Sequence, residues 1–419
     1  MEQHKNIYVY IDCIESEEPI YMGMLHSEMI RGKEVFSYEN NPDWLKHSHF
    51  RALDPDLSEF TGKQYLPTDK SNFGLFLDSA PDRWGRMLMR RREAIMARAE
   101  NRTPRTLMEA DFLMGVFDGN RMGALRFKYA SDGEFMDNNH TLATPPWASI
   151  RELEYASLQL EKEEKNSLSE QGRWLNMLIA PGSSLGGARP KANILDESGR
   201  LWIAKFPSRY DLKNMGAWEI VTSEIAQKCE VVISECKAHK FSSNHHSFLT
   251  LRFDRDDRRR RIHFASAMTL LGYTDGVSHT SGVSYLELAE WIMANCNNTN
   301  YNLEQLWRRV VLNIAVSNCD DHLRNHGFLL TSKGWQLSPA YDINPDEDGM
   351  GLMLNISEND NSLDFDLALS VAKYFGLNNN SAEKIVREVK LAVSDWQKIA
   401  SNYGIPRSEQ ELMAKAFRH

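Results

Sequence analysis

Cysteine, long apolar runs and excess positive charge are all scarce in this sequence of 419 residues. The five cysteines are odd in number and include no CxxC pair, so we expect neither a disulfide framework nor a structural zinc site. This usage favours a reducing compartment, and we predict a cytoplasmic protein. No stretch approaches the roughly 18 uncharged apolar residues of a membrane-spanning helix, so no membrane partner is expected. The 49 basic and 58 acidic side chains leave a net charge of −9, which argues against direct coating of nucleic acid.

The residues that are abundant indicate a folded protein with more than one domain. Hydrophobic residues make up 42% of the chain and there are ten tryptophans, which excludes disorder over most of the length. A chain of this length exceeds what one compact core usually holds. Strand and helix patterns alternate over residues 1–130, a turn-rich linker follows at 131–147 and a helix at 148–165, the alternation resumes over about 178–253, and the pattern from 285 onward is mainly helical. This order predicts an α+β protein in which a sheet-rich part precedes a helix-rich part.

The hydrophobic periodicity also predicts individual elements. Strands are expected near 7–11, 21–25, 35–38, 122–127, 191–195, 201–206, 231–234 and 248–253, with two more at 327–330 and 335–337. Helices are expected near 83–98, 111–117, 148–165, 218–228, 285–294, 303–316, 363–375, 382–401 and 408–417.

A segment rich in glycine and serine is the first candidate for binding chemistry. It reads Pro181-Gly-Ser-Ser-Leu-Gly-Gly-Ala-Arg-Pro-Lys191 and leads into a predicted strand. Backbone N–H groups of such a loop can surround phosphate oxygens. The spacing is neither that of a Walker A loop nor that of a dinucleotide-binding fingerprint. Taken alone, the segment is more often an ordinary turn.

A lysine on the next predicted strand is the second candidate. Lys205 stands between apolar residues in Trp202-Ile-Ala-Lys205-Phe-Pro, as the phosphate-binding strand lysine of protein kinases does. Glu219 on the following predicted helix is the natural ion-pair partner for it. The plain alternative is a strand lysine that faces solvent, and without further context that alternative is favoured.

The third candidate packs several polar groups behind an apolar helix. The stretch Asn318-Cys-Asp-Asp-His-Leu-Arg-Asn325 has an aspartate, Asp320, at the spacing from Asn325 that the kinase catalytic loop uses. The neighbouring Asp321 does not have that spacing. Two other interpretations are a transition-metal site built from His322, His326 and an aspartate, and a capped polar turn.

The fourth candidate is Asp342, in Ser338-Pro-Ala-Tyr-Asp342-Ile-Asn-Pro, which follows Asn325 by 17 residues across a predicted hairpin. Kinases place a metal-binding aspartate there, and carboxylate and amide oxygens around a nucleotide phosphate suit Mg²⁺. Each of the candidates is weak alone. Their order along the chain is that of a kinase-like phosphotransferase, which favours ATP and Mg²⁺ as cofactors.

These segments resemble the HipA-type serine/threonine kinase toxins of bacterial type II toxin–antitoxin modules, over nearly the whole chain. In the amino-terminal part the resemblance is carried by Val35-Phe-Ser-Tyr38, Asp78-Ser-Ala-Pro-Asp-Arg-Trp-Gly-Arg86 and Met122-Gly-Ala-Leu-Arg-Phe127. In the kinase part it is carried by 183–191, Ile203-Ala-Lys-Phe-Pro207, Arg252-Phe-Asp-Arg255, 318–325 and Tyr341-Asp342. It implies a two-lobed, protein-kinase-like (HipA-like) fold. A small α/β amino-terminal domain (1–130) and a linker (131–147) would precede an amino-terminal lobe (148–255) and a mainly helical carboxy-terminal lobe (256–419).

The resemblance also implies roles for individual residues. Asp320 corresponds to the catalytic base, Asn325 and Asp342 to the magnesium ligands, and Lys205 to the phosphate-binding lysine. Ser184 matches the regulatory autophosphorylation site, with Ser183 as a rival. The residues expected to contact ATP are, with Lys205, the loop residues Ser183, Ser184, Leu185, Gly186, Gly187 and Ala188, the hinge residues Leu251 and Phe253, and His322.

The implied activity is that of a toxin that phosphorylates a translation-related protein, such as an aminoacyl-tRNA synthetase, and inactivates itself by autophosphorylation. The implied partner is a helix-turn-helix antitoxin, through which DNA would be met only indirectly. One alternative is a corepressor of the same fold, in which Arg255 and Arg258–Arg261, or Arg90–Arg92, contact DNA phosphates. Another is a metal-dependent hydrolase that uses Asp320, Asp321, His322 and Asp342.

Overall fold

The structure, a computed structural model, describes residues 4–13, 16–47, 52–67, 70–138, 144–162, 172, 174, 175, 177, 178 and 187–419. The chain forms two compact units. The first comprises Met1–Arg209 and Asp254–Ala265, and the second comprises Tyr210–Phe253 and Ser266–His419. None of the helices in the described ranges is long and apolar enough to cross a membrane.

The first unit begins with an antiparallel sheet of five strands. These are β1 (His4–Ile11), β2 (Ile20–Ile30), β3 (Lys33–Asn40), β4 (Gln64–Tyr65) and β5 (Leu125–Lys128), in the order β4-β3-β2-β1-β5. Ile7, Val9 and Ile11 alternate with less buried tyrosines along β1, so every second side chain faces the core. The predicted period of two is therefore confirmed on β1.

Five helices of the first unit have both ends within the described residues. They are α1 (Pro42–Leu45), α2 (Gly74–Leu77), α3 (Arg83–Ala99), α4 (Glu109–Met114) and α5 (Ile150–Leu160). The longest, α3, begins where predicted because the Asp82 carboxylate caps it, accepting the Gly85 N–H at 2.8 Å. The helix predicted over 148–165 ends earlier, at Leu160 with Glu161 as its C-cap, while residues 163–165 of the prediction lie outside the described residues.

A two-stranded hairpin follows in the same unit. Its strands are β6 (Lys191–Leu195) and β7 (Leu201–Lys205), both within one residue of their predicted ranges. The antiparallel register pairs Lys191 directly with Lys205 and Ile194 with Trp202. Two lysines that oppose each other in this way repel unless another group compensates one of the charges.

The second unit contains four strands and eight helices among the described residues. The strands are β8 (Cys236–His239), β9 (Ser247–Leu251), β11 (Gly327–Thr331) and β12 (Gly334–Leu337), while β10 (His263–Ser266) spans the boundary between the units. Pairs β8–β9 and β11–β12 are antiparallel hairpins. The helices are α6 (Met215–Lys228), α7 (Ala267–Leu270), α8 (Tyr285–Asn295), α9 (Thr299–Ala315), α10 (Phe365–Val371), α11 (Asn379–Ser394), α12 (Trp396–Asn402) and α13 (Arg407–Met413).

The strand predicted at 231–234 is wrong. These residues end a helix instead, because Glu230 adopts a left-handed φ of 60° and the Val231 N–H donates to the Ala226 carbonyl at 2.9 Å. Ile233 makes only an isolated bridge to Ala340, and the strand begins later, at Cys236. The β-branched residues of this run indicated a strand, but only Val231 is buried there, and Val232 is 40% exposed.

The arginines considered as DNA contacts are partly engaged inside the first unit. Arg255 Nη1 lies 2.6 Å from Asp254 Oδ2, and Arg261 Nη2 lies 3.2 Å from Asp118 Oδ2, with both side chains less than a tenth exposed. Arg260 is paired with Asp256 at 2.8 Å on the surface. The sequence cluster is therefore largely a set of ion pairs, and Arg255 and Arg261 stabilise the fold.

Candidate functional site

The loop behind α9 separates the two neighbouring aspartates. Asp321 is 4% exposed, and its Oδ2 accepts hydrogen bonds from the Tyr285 hydroxyl at 2.6 Å and the Asn313 amide at 2.6 Å. The His326 Nε2 also lies 2.7 Å from this oxygen. Burial acts to raise the pKa of the Asp321 carboxyl, but His326 and Tyr285 outweigh it, so that this pKa lies below its usual value. Asp321 is thus an ionised structural group.

Asp320, in contrast, carries an exposed side chain. Its main-chain carbonyl accepts the Asn325 Nδ2–H at 2.9 Å and the His322 N–H at 3.0 Å. These bonds fold residues 320–325 into a tight turn that ends in a short 3-10 helix, Leu323–Asn325. The spacing argument and the burial of the neighbouring aspartate therefore favour the same residue, Asp320, as the predicted base.

The buried Asn325 has an amide suited to a magnesium ligand. Because the Asn325 Nδ2 donates to the Asp320 carbonyl, the Asn325 Oδ1 points away from that carbonyl. Mg²⁺ takes one or two protein oxygens and completes its shell with phosphate and water, which fits one amide oxygen together with one carboxylate.

The rival transition-metal site lacks support in the described part of the chain. No group of three or more His, Cys, Asp or Glu side chains there is placed to hold a metal ion. The His326 ring is committed to Asp321, as the 2.7 Å distance shows.

Asp342 follows the β11–β12 hairpin, which was predicted between it and Asn325 and is confirmed. Its backbone is in the left-handed region at φ 59°, a conformation that is strained for a residue with a side chain. The Asn344 Nδ2–H donates to Asp342 Oδ1 at 2.9 Å. The Tyr341 hydroxyl donates to the Arg324 carbonyl at 2.6 Å, so the structure brings the Asp342 segment against the Asp320 loop.

The predicted hinge residues stand at the end of β9. The Leu251 N–H donates to the Glu235 carbonyl at 2.8 Å. The Phe253 ring centroid lies 5.5 Å from that of Tyr341, the residue before Asp342. Within the second unit, the segment expected to hold adenine therefore lies beside the segment expected to hold magnesium.

A buried ion pair in the first unit compensates one of the two facing lysines. The Lys191 side chain is 1% exposed; its ammonium lies 2.6 Å from Asp82 Oδ2 and donates to the Gly187 carbonyl at 2.9 Å. The Trp84 indole N–H donates to the Lys191 carbonyl at 3.1 Å. The cap of α3 therefore fixes the strand that follows the predicted phosphate loop, and Gly187 at the end of that loop.

Other predicted site residues remain predictions. Ser183, Ser184, Leu185 and Gly186 lie outside the described residues. Lys205 ends β7 of the first unit, and Glu219 is a buried residue of α6 in the second unit, so their ion pair is a proposal. Sequence reasoning missed Asn313, although a polar residue between Leu312 and Ile314 on an apolar helix was a usable signal.

Comparisons with known proteins agree with this geometry at the level of fold. The model of the HipA-like C-terminal domain family matches residues 183–396. A curated protein of Haemophilus influenzae named "Putative kinase" is 24% identical over 181 residues, which are 39% of this chain and 52% of that protein. The chain thus spans about half the length of this relative.

Among solved structures, the HipA protein of Shewanella oneidensis MR-1 is similar to this chain with a TM-score of 0.66 and 15% sequence identity. The likeness covers 98% of this chain and 94% of that one, whose structure was solved as a complex of HipA, HipB and operator DNA. The predicted HipA-like α+β fold is confirmed.

Proposed function

The chain belongs to the family of proteins with a HipA-like C-terminal domain, and on this premise we propose that it is an ATP- and magnesium-dependent kinase of serine or threonine hydroxyls in proteins. The observation that carries the proposal is the separation of the two aspartates. The Asp320 carboxylate is exposed beside the oriented Asn325 amide, whereas the Asp321 carboxylate is buried and accepts a hydrogen bond from Tyr285.

Each site residue has a distinct task in this proposal. Asp320 orients the acceptor hydroxyl and takes its proton as the phosphoryl group moves. Lys205 and the N–H groups of residues 183–188 neutralise the nucleotide phosphates. Asn325 and Asp342 would hold Mg²⁺, which supplies positive charge at the phosphate oxygens when bound. Leu251 and Phe253 would hold adenine, with His322 beside the nucleotide.

The metal-dependent hydrolase is not favoured. It needs the carboxylate of Asp321, whose Oδ2 already accepts two hydrogen bonds and lies against His326. It also gives no role to Lys205.

The biological role we propose is that of a toxin held by an antitoxin. The Shewanella neighbour is a HipA in complex with HipB and operator DNA, and its likeness over 98% of the chain supports a similar assembly here. We propose a helix-turn-helix antitoxin as partner, DNA contact only through it, and a translation-related protein such as an aminoacyl-tRNA synthetase as substrate. A role as corepressor is compatible with the same assembly.

Transfer from labelled ATP tests the kinase proposal. Incubation of the purified chain with a bacterial lysate, labelled ATP and Mg²⁺ should label at least one lysate protein, and also the chain itself at Ser184 or Ser183. A phosphate adds about −1.5 to −2 charges to the predicted nucleotide loop, so the labelled chain should bind ATP at least tenfold more weakly. Mass spectrometry locates the phosphate, and calorimetry measures ATP affinity before and after labelling.

The matched control is the same incubation without the purified chain, which measures labelling by kinases of the lysate. Equal labelling with and without the chain would contradict the kinase proposal. A phosphorylated chain that binds ATP as tightly as the unmodified chain would contradict only the self-inactivation.

A further inference from the structure

A continuous row of hydrogen bonds joins the loop that carries Asp320 and Asn325 to the loop that carries Asp342. Asn313 Nδ2 donates to Asp321 Oδ2 at 2.6 Å, and Asn318 Nδ2 donates to Asn313 Oδ1 at 3.0 Å. The Asn344 N–H then donates to Asn318 Oδ1 at 3.2 Å, and Asn344 Nδ2 donates to Asp342 Oδ1 at 2.9 Å. We call Asn313, Asn318 and Asn344 the asparagine bridge.

The two inner members of the bridge are sealed from solvent. Asn313 is 2% exposed and Asn318 is 1% exposed, and each uses its amide N–H as a donor and its amide oxygen as an acceptor. A buried amide is costly unless both ends are satisfied. An apolar side chain of similar size would fill the same space without fixing any direction, so the bridge specifies the alignment of the two loops.

The outer end of the bridge acts on a strained segment. Asp342 has a φ of 59°, and such a conformation persists only where neighbouring groups hold it. Three bonds do so over three successive residues. The Thr222 hydroxyl donates to the Ile343 carbonyl at 2.6 Å, Asn318 holds the Asn344 amide, and Asn344 holds the Asp342 carboxylate.

We propose that Asn318 and Asn344 are positioning residues for phosphoryl transfer, which fix the Asp342 carboxylate relative to the loop that carries Asp320 and Asn325. The inference rests on the proposed function, since it assigns a task to residues that touch neither nucleotide nor acceptor. Its physical content is preorganisation: a metal-holding carboxylate must be in place before the reaction, and outer partners of such ligands are worth about 10- to 100-fold in metal affinity or activity.

Removing the Asn318 side chain interrupts the bridge at its centre. The Asn344 N–H and the Asn313 amide oxygen then lose their partners inside the protein, and the strained segment can relax away from φ 59°. The Asp342 oxygens would move relative to Asn325. We therefore expect the Mg²⁺ concentration for half-maximal transfer to rise about tenfold in Asn318→Ala, with kcat lower by about 10- to 100-fold.

Asn344→Ala tests the outer end separately. It removes the donor to Asp342 and keeps the backbone N–H that binds Asn318, and the half-buried position makes loss of folding a small concern. The same rise in Mg²⁺ requirement is expected. ATP affinity measured without Mg²⁺ should stay within about twofold of the wild type in both variants, because the bridge acts through the metal-holding carboxylate.

Asn302→Ala is the matched control. Asn302 is 2% exposed and lies on helix α9, as Asn313 does. Its side chain donates to the carbonyls of Asn297 and Asn298 and accepts the Leu337 N–H. The substitution deletes a buried amide outside the bridge that makes three hydrogen bonds, one more than the Asn318 amide. It should lower the melting temperature, as Asn318→Ala does, and leave the Mg²⁺ dependence at the wild-type value.

Two outcomes overturn the proposal. One is a wild-type Mg²⁺ requirement in both bridge variants, and the other is an equal rise in Asn302→Ala, which would indicate general softening of the fold. Binding of a non-hydrolysable ATP analogue with and without Mg²⁺ separates this from the kinase proposal. Mg²⁺ should raise the affinity for the analogue less in Asn318→Ala than in the wild type. An equal gain in both proteins, or no gain in either, contradicts the positioning role of the bridge whether or not transfer is detected.

Discussion

Replacing Asp320 by asparagine is expected to lower kcat for phosphoryl transfer by about 10³-fold, within the 10²- to 10⁴-fold contribution of general bases. The asparagine keeps the size of the side chain and loses the group that takes the proton. ATP affinity should stay within about twofold of the wild type, because the aspartate acts on the acceptor hydroxyl. The fold should survive, because the bonds that shape this turn go to the main-chain carbonyl of Asp320, which asparagine retains.

The measurement is steady-state transfer to the labelled substrate, with kcat and the KM for ATP determined separately. Asp366→Asn is the matched control, since Asp366 is an exposed aspartate in the first turn of α10, away from both loops. It should leave both constants unchanged. A wild-type kcat in Asp320→Asn would show that Asp320 is not the base. If a folded Asp321→Asn variant then lost most of its activity, Asp321 would be the base instead.

Replacing Lys191 by methionine is expected to lower the free energy of unfolding by about 3–5 kcal/mol, the usual effect of removing one partner of a buried ion pair. The Asp82 side chain is 3% exposed and lies 2.6 Å from the Lys191 ammonium, so its buried carboxylate would lose the positive charge of Lys191. Methionine fills the apolar part of the lysine site, which leaves the lost charge as the main cause of the effect.

The double variant Asp82→Asn, Lys191→Met separates charge from packing. Asparagine still caps α3 by accepting the Gly85 N–H, and no buried charge is left. We expect it to recover most of the lost stability, since a buried pair replaced as a whole is often close to neutral. Urea unfolding followed by tryptophan fluorescence measures the wild type and both variants. A double variant no more stable than Lys191→Met alone would show that packing, and not the uncompensated carboxylate, causes the loss.

Much of the fold could be predicted from the sequence because local patterns dominate it. The strands at 191–195 and 201–205 have the alternating residues that a hairpin needs, and α3 has a capping aspartate at its start. The prediction failed at 231–234, where the chain leaves a helix and the strand begins only at Cys236. It also missed α7 and β10, which have no pattern of their own beyond four buried residues each.

The candidate site could be predicted in part for a related reason. The spacing of Asp320 and Asn325 is a local property, and in the structure residues 320–325 form one tight turn. The difference between Asp320 and Asp321 is not local, because it depends on Tyr285, a residue 36 positions away. Asn318 was part of the motif, but its partner Asn344 comes from beyond a hairpin, so its connection to Asp342 was not visible in the sequence.

The contact between Asp82 and Lys191 limits how the chain can be shortened or recombined during evolution. Asp82 belongs to the segment before the predicted linker and Lys191 to the segment after it, yet each neutralises the other in the interior. A shortened chain that begins after the linker would lose both the carboxylate that neutralises the Lys191 ammonium and the Trp84 indole that binds the Lys191 carbonyl. The part of the chain after the linker therefore depends on the first 130 residues. Recombination between relatives at this linker would give a stable protein only when both residues of the ion pair are inherited together.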